Sequence, residues 1–252
     1  MAEQRSIIKL KGTIGDITFY KTRDGYMARE RGGVSADRIM NDPAFQRTRE
    51  NGAEFGRAGK AGKTLRRSIQ TLLQNAADRR MVSRLTKAMI QVLQLDAVNP
   101  RGLRNVIDGE AELLEGFEFN SEGKLGTTLY APFTSSLDRT TGAATISFEP
   151  FVPANSIGVP GGSTHFQLVG AAMAIDFERE VSTSEKTATA VLPIDQAATP
   201  VLELVHQLPA ESTQPLFLVL GICFFQQING EYYALKNGAF NALQIVHVSG
   251  TP

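Results

Sequence analysis

The segment of this chain with the most evident chemical potential is Gly56-Arg57-Ala58-Gly59-Lys60-Ala61-Gly62-Lys63-Thr64, whose last residues match the end of a phosphate-binding loop. In such a loop successive backbone amides cradle phosphate oxygens and the lysine reaches the terminal phosphates. The pattern asks for glycine where Arg57 stands, Gly56 being one residue off, and for a preceding buried strand, whereas Glu54-Phe55 lies within a helical pattern. The glycines fit better as a helical stripe: Gly52, Gly56, Gly59 and Gly62 fall on one side of a helix. Each costs up to ~1 kcal/mol of helix propensity relative to alanine. Close backbone approach of another helix is the use expected of them, and a glycine-weakened, flexible segment is the alternative.

Other chemistries have less to stand on. His165, His206 and His247 are far apart, and no serine sits in a nucleophile-elbow pattern, whereas a hydrolase needs a nucleophile, a base and an orienting group together. Asp176-Phe177-Glu178-Arg179-Glu180, with Glu185 beyond, alternates acids as a strand edge does, while hard-cation loops wrap their oxygens around a sharp turn. Cys223, in the apolar run Leu218–Phe225, reads as a buried strand cysteine, and a single cysteine builds no disulfide framework within one chain. No catalytic residue, cofactor or metal ligand is expected, and the chain is not expected to be an enzyme.

Charge is more informative. Residues 1–107 hold 21 of the 26 Lys/Arg and 10 of the 26 Asp/Glu; residues 108–252 hold the other 5 basic and 16 acidic residues. A neutral chain made of a basic half and an acidic half suits attraction of a polyanion at one end, or of copies of itself head to tail. The basic side centres on Arg47, Arg49, Arg57, Lys60, Lys63, Arg66 and Arg67, of which Arg49, Lys60, Lys63 and Arg67 can share a helix face. The acidic side centres on Asp108-Gly109-Glu110-Ala111-Glu112-Leu113-Leu114-Glu115-Gly116-Phe117-Glu118. Nucleic acid is the less economical partner for the basic face, because that stretch has Phe55 alone for stacking and no zinc spacing.

The elements that would position these residues form an α+β chain of 252 residues, 42% hydrophobic and 21% charged, which is a globular and not a disordered composition. Residues 1–34 form an N-terminal β segment, a hairpin or meander over 6–32 with a turn at Asp24-Gly25. So few large apolar residues cannot hold three short strands alone, so the segment must dock on its own chain or on a neighbour. Residues 35–108 form a basic helical domain: Asp42 caps and Pro43 enters the first turn, a break lies near 75–78, Met81, Leu85, Met89 and Val92 make one apolar face, and a short helix spans 101–107. Residues 109–252 form an acidic antiparallel β-sandwich, Ig-like or jelly-roll-like. Its candidate strands are 116–119, 127–130, 143–148, 165–176, 187–192, 216–226, 231–235 and 239–248, the last three making a meander through Asn229-Gly230 and Asn237-Gly238. The N-terminus has no secretory signal and the longest apolar run, near 215–225, is too short for a membrane span, so synthesis is expected in the cytoplasm, with work outside the cell only through lysis or a dedicated export machine.

Several phrases together, Gly12-Thr13-Ile14-Gly15-Asp16-Ile17-Thr18-Phe19-Tyr20-Lys21, Asp42-Pro43-Ala44-Phe45-Gln46-Arg47-Thr48-Arg49-Glu50-Asn51, Glu54-Phe55-Gly56-Arg57, and Leu218-Val219-Leu220-Gly221 leading to Tyr233-Ala234-Leu235-Lys236-Asn237-Gly238, resemble a Bacteroidota family of unknown function. The resemblance runs nearly end to end and implies a bacterial origin; it brings no activity, cofactor or site.

These features lead to a structural protein that self-assembles into a filament, tube or other polymer. The expected contacts are Arg57, Lys60, Lys63 and Arg67 against Glu110, Glu112 and Glu115 of the next copy, with Gly56 and Gly59 allowing close approach and Ile17 and Phe19 anchoring a donated strand. The alternatives are a nucleic-acid-associated protein with the basic helices on phosphates, and a non-catalytic ligand- or partner-binding β-sandwich. The bland counterpart of all three is a monomer whose two halves fold against each other.

Overall fold

The computed structural model describes residues 2–5, 7–30, 32–76 and 78–251, the side chains of Lys236 and Asn237 excepted, and the chain divides after Arg49. Readings that touch Met1, Ser6, Arg31, Ala77 or Pro252 lie outside the described residues at those positions. In the first unit, β1 (Ala2–Glu3), β2 (Gly12–Ile14), β3 (Ile17–Thr22) and β4 (Gly25–Glu30) form an antiparallel sheet of order β1-β4-β3-β2. The turn falls one residue earlier than Asp24-Gly25, because the Thr22 hydroxyl accepts from the Asp24 amide (3.2 Å) and donates to the Gly25 carbonyl (3.1 Å). Gly25, at φ 132°, opens the return strand. None of the described residues among 2–49 is buried. Helix α1 (Ala36–Asn41) starts on Ser35, whose Oγ accepts from the Arg38 amide, and Asp42 then caps a 3₁₀ turn, Pro43–Phe45, as its sequence position leads one to expect.

Helix α2 (Gln46–Ser68) follows, then α3 (Gln70–Leu73) and α4 (Met81–Gln94). Glu54, Ala58, Ala61, Gly62, Leu65 and Ser68 form the buried stripe of α2, mostly small residues. The expected apolar face of α4 is in place, with Met81, Leu85, Met89 and Val92 all buried. Fully burying each of the larger side chains contributes about 2 kcal/mol. The expected helix at 101–107 does not form. Side chains capture the amides it would need: Glu54 takes that of Gly102 (2.7 Å), Asp96 that of Asn105 (2.9 Å), and Asn105 that of Ile107 (2.8 Å).

The strand-rich remainder contains α5 (Leu125–Thr128), β5 (Phe133–Leu137), β6 (Ala143–Phe148), α6 (Pro153–Ser156), β7 (His165–Asp176), β8 (Val181–Ala188), β9 (Leu192–Pro193), β10 (Leu202–Gln207), β11 (Leu216–Ile228), β12 (Glu231–Ala234) and β13 (Ala242–Ser249). One sheet has the order β10-β6-β5; the other has β12-β11-β7-β8, with β13 also on β11 and β9 also on β7. All pairings are antiparallel. Strand β7 is apolar on both faces, and alternation sends its residues two ways. Leu168, Ala172 and Ala174 join Ile146, Phe148 and Leu204 of the smaller sheet in one core. Val169, Ala171, Met173 and Ile175 join Ala58, Leu65, Leu85 and Met89 of the helices in another.

Several strand expectations need correction. Within 127–130, Thr127 and Thr128 end α5, where their hydroxyls bond the Lys124 carbonyl, and Leu129 makes only an isolated bridge to Ile157. Residues 116–119 contribute a single bridge, Glu118 to Gln244, in place of a strand. Strands β5, β10 and most of β8 were not expected: β5 and β10 alternate but span only five and six residues, and β8 is polar and exposed along nearly all its length. Asn229-Gly230 does make the tight turn, both residues at positive φ. Leu235–Gly238 form a 3₁₀ turn instead, and β13 returns to β11, so the last three strands are not a meander. The result is a chain of mixed helix and antiparallel sheet in which compactness divides differently from charge. The helical and strand-rich segments after Glu50 share a core, whereas the sequence-based division separates them at 108/109.

Arg139, in the β5–β6 turn, fastens the C-terminal end of the chain. Its Nη1 donates to the carbonyls of Ser212 (2.5 Å) and Gln214 (2.7 Å), and its Nη2 to Ser249 O (3.0 Å), Ser249 Oγ (2.8 Å) and Gly250 O. Arg139→Met leaves these acceptors unmatched and should cost about 2–3 kcal/mol. The check is a lower denaturant midpoint with unchanged slope; a midpoint equal to the parent's would show that the clamp adds nothing.

Candidate functional site

Gly59–Thr64 lie inside α2, so the amides that would cradle a phosphate are committed to helical hydrogen bonds. The glycine stripe splits in two. A Cβ built at Gly62 meets Leu85 Cγ at 3.5 Å, an approach of α2 to α4 of the expected kind. A Cβ at Gly52, Gly56 or Gly59 meets nothing within 4 Å, so these three face open space in their own chain.

The expected basic residues also divide. Arg57 turns inward, its Nη1 donating to Gly102 O (2.5 Å) and Arg104 O (3.4 Å). Beside it Glu54, 5% exposed, takes both forks of Arg104 at 2.8 and 3.0 Å. The hydrogen bonds from Arg104 hold the Glu54 carboxyl below the usual range, against the opposing effect of burial. Lys60 lies 3.6 Å from Glu180 and shares with Arg57, Asp108 and Glu178 a cleft of about 550 Å³. Arg57 is therefore occupied within the chain, whereas Lys60 stays exposed and makes a surface ion pair of small worth. Lys63 and Arg67 are exposed and, with Arg66, line an open groove of about 520 Å³ completed by Gln70, Leu73, Gln74 and Met81. Among the described residues, none with an acidic side chain lines it.

The acidic residues flank the other end of the helix pair. Glu110 precedes a 3₁₀ turn, Ala111–Leu114, and the neighbouring Gly109 is packed on the carbonyl of Val92, late in α4. The basic groove includes Met81, at the start of α4. About 16 Å of helix separates these positions at ~1.5 Å per residue. Glu110 is exposed; Glu112 accepts from the Gly250 amide (2.7 Å) and Glu115 from that of Val248 (3.3 Å). Ion pairs mostly stay within a half: Arg84–Asp78, Arg101–Glu50 and Arg104–Glu54 in the basic one, Arg179–Asp176 in the acidic one, with Lys60–Glu180 joining the two. Ile17 and Phe19 alternate onto one face of β3, Ile17 exposed and Phe19 half-buried.

The histidines are not gathered. His206 is buried between the two sheets, its Nε2 2.9 Å from Thr187 Oγ1 and its Nδ1 3.2 Å from Ala144 O. His165 lies edge-on to Tyr232, and His247 is 3.5 Å from Ser135 Oγ. Burial pushes the Cys223 thiol up to about 11, so it is not a thiolate at neutral pH. Among the described residues no group of three His, Cys, Asp or Glu could hold a metal ion, and no helix is long and apolar enough to cross a membrane.

Glu118 was not singled out by sequence, where it is one acid in a run of acids. Its Oε1 accepts from the Leu125 amide (3.0 Å) and Gln244 Nε2 (2.9 Å), while Oε2 is buried without a partner. Burial raises its pKa to about 7, against the donors and the nearby cations Lys124 and Arg84. The folded state therefore holds a proton there between pH 4.5, the ordinary value, and about 7. Stability falls as pH rises through that window and levels off above it. Glu118→Gln should remove this dependence, so its melting-temperature advantage over the parent should be larger at pH 8 than at pH 5. An equal difference at both pH values would show that the carboxyl does not titrate there. No protein-family model, curated protein or solved structure matches the chain.

Proposed function

We propose that this chain is a structural protein that self-assembles into a filament, tube or other polymer. The observation that carries the reading is the sheet within residues 2–30: four strands, with Ile14 and Ile17 exposed at 64% and 46% and no buried residue among those described. A sheet of this kind has no core until something covers it. In this reading the subunit body is a β-sandwich of Ig-like or jelly-roll-like kind carrying a helical layer, and successive copies meet head to tail. The groove of Lys63, Arg66 and Arg67 receives the acidic surface around Glu110 of the next copy, a heterologous contact that propagates unless its rotation closes a ring. Arg57, occupied at home, takes a lesser part than its sequence suggests.

A nucleic-acid-associated protein is the second reading, favoured by the absence of acids from the described lining of that groove. Its binding would weaken steeply with salt, but so would a charge-driven polymer, so nuclease treatment is the discriminating step.

Nuclease-treated protein at low salt should give regular polymers in negative stain and scattered-light masses well above 27.4 kDa. A uniform monomer across protein concentrations would overturn the polymer, and polymers that vanish with nuclease would favour nucleic acid. Lys63→Glu with Arg67→Glu should abolish the large species. Gly56→Ala and Gly59→Ala make an opposite-sign test: each should stabilise the isolated fold by about 0.5–1 kcal/mol while weakening assembly if another copy approaches that face closely. Stabilisation without any loss of assembly would remove the glycines from the interface.

A further inference from the structure

Register sorts the N-terminal sheet into two unlike faces. Direct cross-strand partners share a face, and Ile14 pairs with Ile17, Phe19 with both Gly12 and Ala28, Ala28 with Ala2, Lys21 with Tyr26, and Ile17 with Glu30. One face therefore carries Ile14, Ile17, Phe19, Tyr26 and Ala28, with Glu30 at one end and Lys21 at the other, where Lys9 also lies over the Tyr26 ring. The opposite face carries Glu3, Thr13, Thr18, Tyr20, Thr22, Met27 and Arg29. On the apolar face Lys21 and Glu30 stand at opposite ends, four residues apart along the strands, or about 13 Å at ~3.4 Å per residue. They are exposed and too far apart to pair with each other.

The geometry points to a second copy of this chain as the cover of that face, packed face to face through the same residues. A two-fold axis crossing the strands reverses their direction in the partner, so Lys21 of each copy meets Glu30 of the other and the two apolar centres meet between them. A face of this pattern is complementary to itself, which a two-fold contact requires. Edge addition suits the sheet less, because its edges are strands of two and three residues. The face covers only about 300 Å² at ~4.8 Å between strands, short of the ~800 Å² per partner of a stable interface. The contact is thus weak alone and acts as a second link between chains already joined head to tail. This inference rests on the self-assembly reading.

The test is sedimentation velocity on the full chain over a range of concentrations at low salt, with circular dichroism to confirm that each variant keeps the parent's fold. Lys21→Glu turns both charge contacts of the pair repulsive, and so does Glu30→Lys; each should weaken association at least tenfold. The double variant Lys21→Glu/Glu30→Lys restores opposite charges across the two-fold and should return to within about threefold of the parent. Ile17→Asp should weaken association without rescue by either charge change. If the parent associates and the charge variants associate equally well, face pairing is overturned while self-assembly stands. Weakened single variants with no recovery in the double overturn the two-fold arrangement. A parent that remains monomeric throughout overturns both readings.

Discussion

The pairing of β7 with β11 is the constraint on which the body of this protein depends. They are the two longest strands, 12 and 13 residues, joined in register from Leu216–Ala174 to Phe225–His165. Because both are apolar on both faces, neither face of their sheet can be left to water. The side bearing Leu168, Ala172, Leu218 and Leu220 is met by β6 and β10; the side bearing Val169, Met173, Phe217 and Val219 is met by α2 and α4. Close approach then selects small residues. A Cβ on Gly170 would stand 3.0 Å from the His206 ring, and one on Gly221 would stand 2.7 Å from the Ala242 carbonyl. The small residues in the buried stripe of α2 answer the same demand from the helical side.

A second set of interactions spends charge inside the chain. Glu54, Asp78 and Asp96 are acids of the basic half, and each organises a loop by accepting backbone amides or guanidinium groups. Asp78 shows how strongly. Burial opposes its ionisation, yet the Ser121 amide and the Arg84 guanidinium bring its pKa down to about 2. Such internal use explains why Arg57 and Arg104, conspicuous in the sequence as cations, are not free surface charges. Lys63 and Arg67 keep that character because α2 points them away from both cores.

The two units of the chain therefore stand in contrast. Residues 50–251 satisfy their apolar faces and most of their buried polar groups internally, whereas residues 2–49 form four short strands and short helical turns in which none of the described residues is buried. A fold can leave a face of a few strands uncovered if association supplies the missing layer, and the separation of charge along the helix pair would give the proposed association a direction. Assembly is the reading that gives both features one use.

Sequence by itself determined the elements whose signals are local. The Asp42-Pro43 start, the period of Met81, Leu85, Met89 and Val92, the turn at Asn229-Gly230, the alternating strand at 143–148 and the long apolar strands at 165–176 and 216–226 are all visible in residue type and spacing, because caps, turns and alternation act over a few residues. The β3–β4 hairpin was legible too, as was the want of a core there, but not the turn at Gly15-Asp16 that separates β2 from β3, nor the absence of a strand over 7–10. Tertiary structure alone decided that β13 lies on β11, that the helices cover a sheet already buried on its other side, that 101–107 is a loop, that only Gly62 of the four glycines meets a helix within the chain, and that Glu118 is half-buried with one buried, unmatched oxygen. Each of these depends on groups far apart in sequence: the Glu54 carboxylate that takes an amide from Gly102, or the Gln244 amide that reaches Glu118. Periodicity records which side of an element is apolar. What meets that side, and which charges are consumed on the way, is set by competition among distant partners for the same space and the same hydrogen bonds.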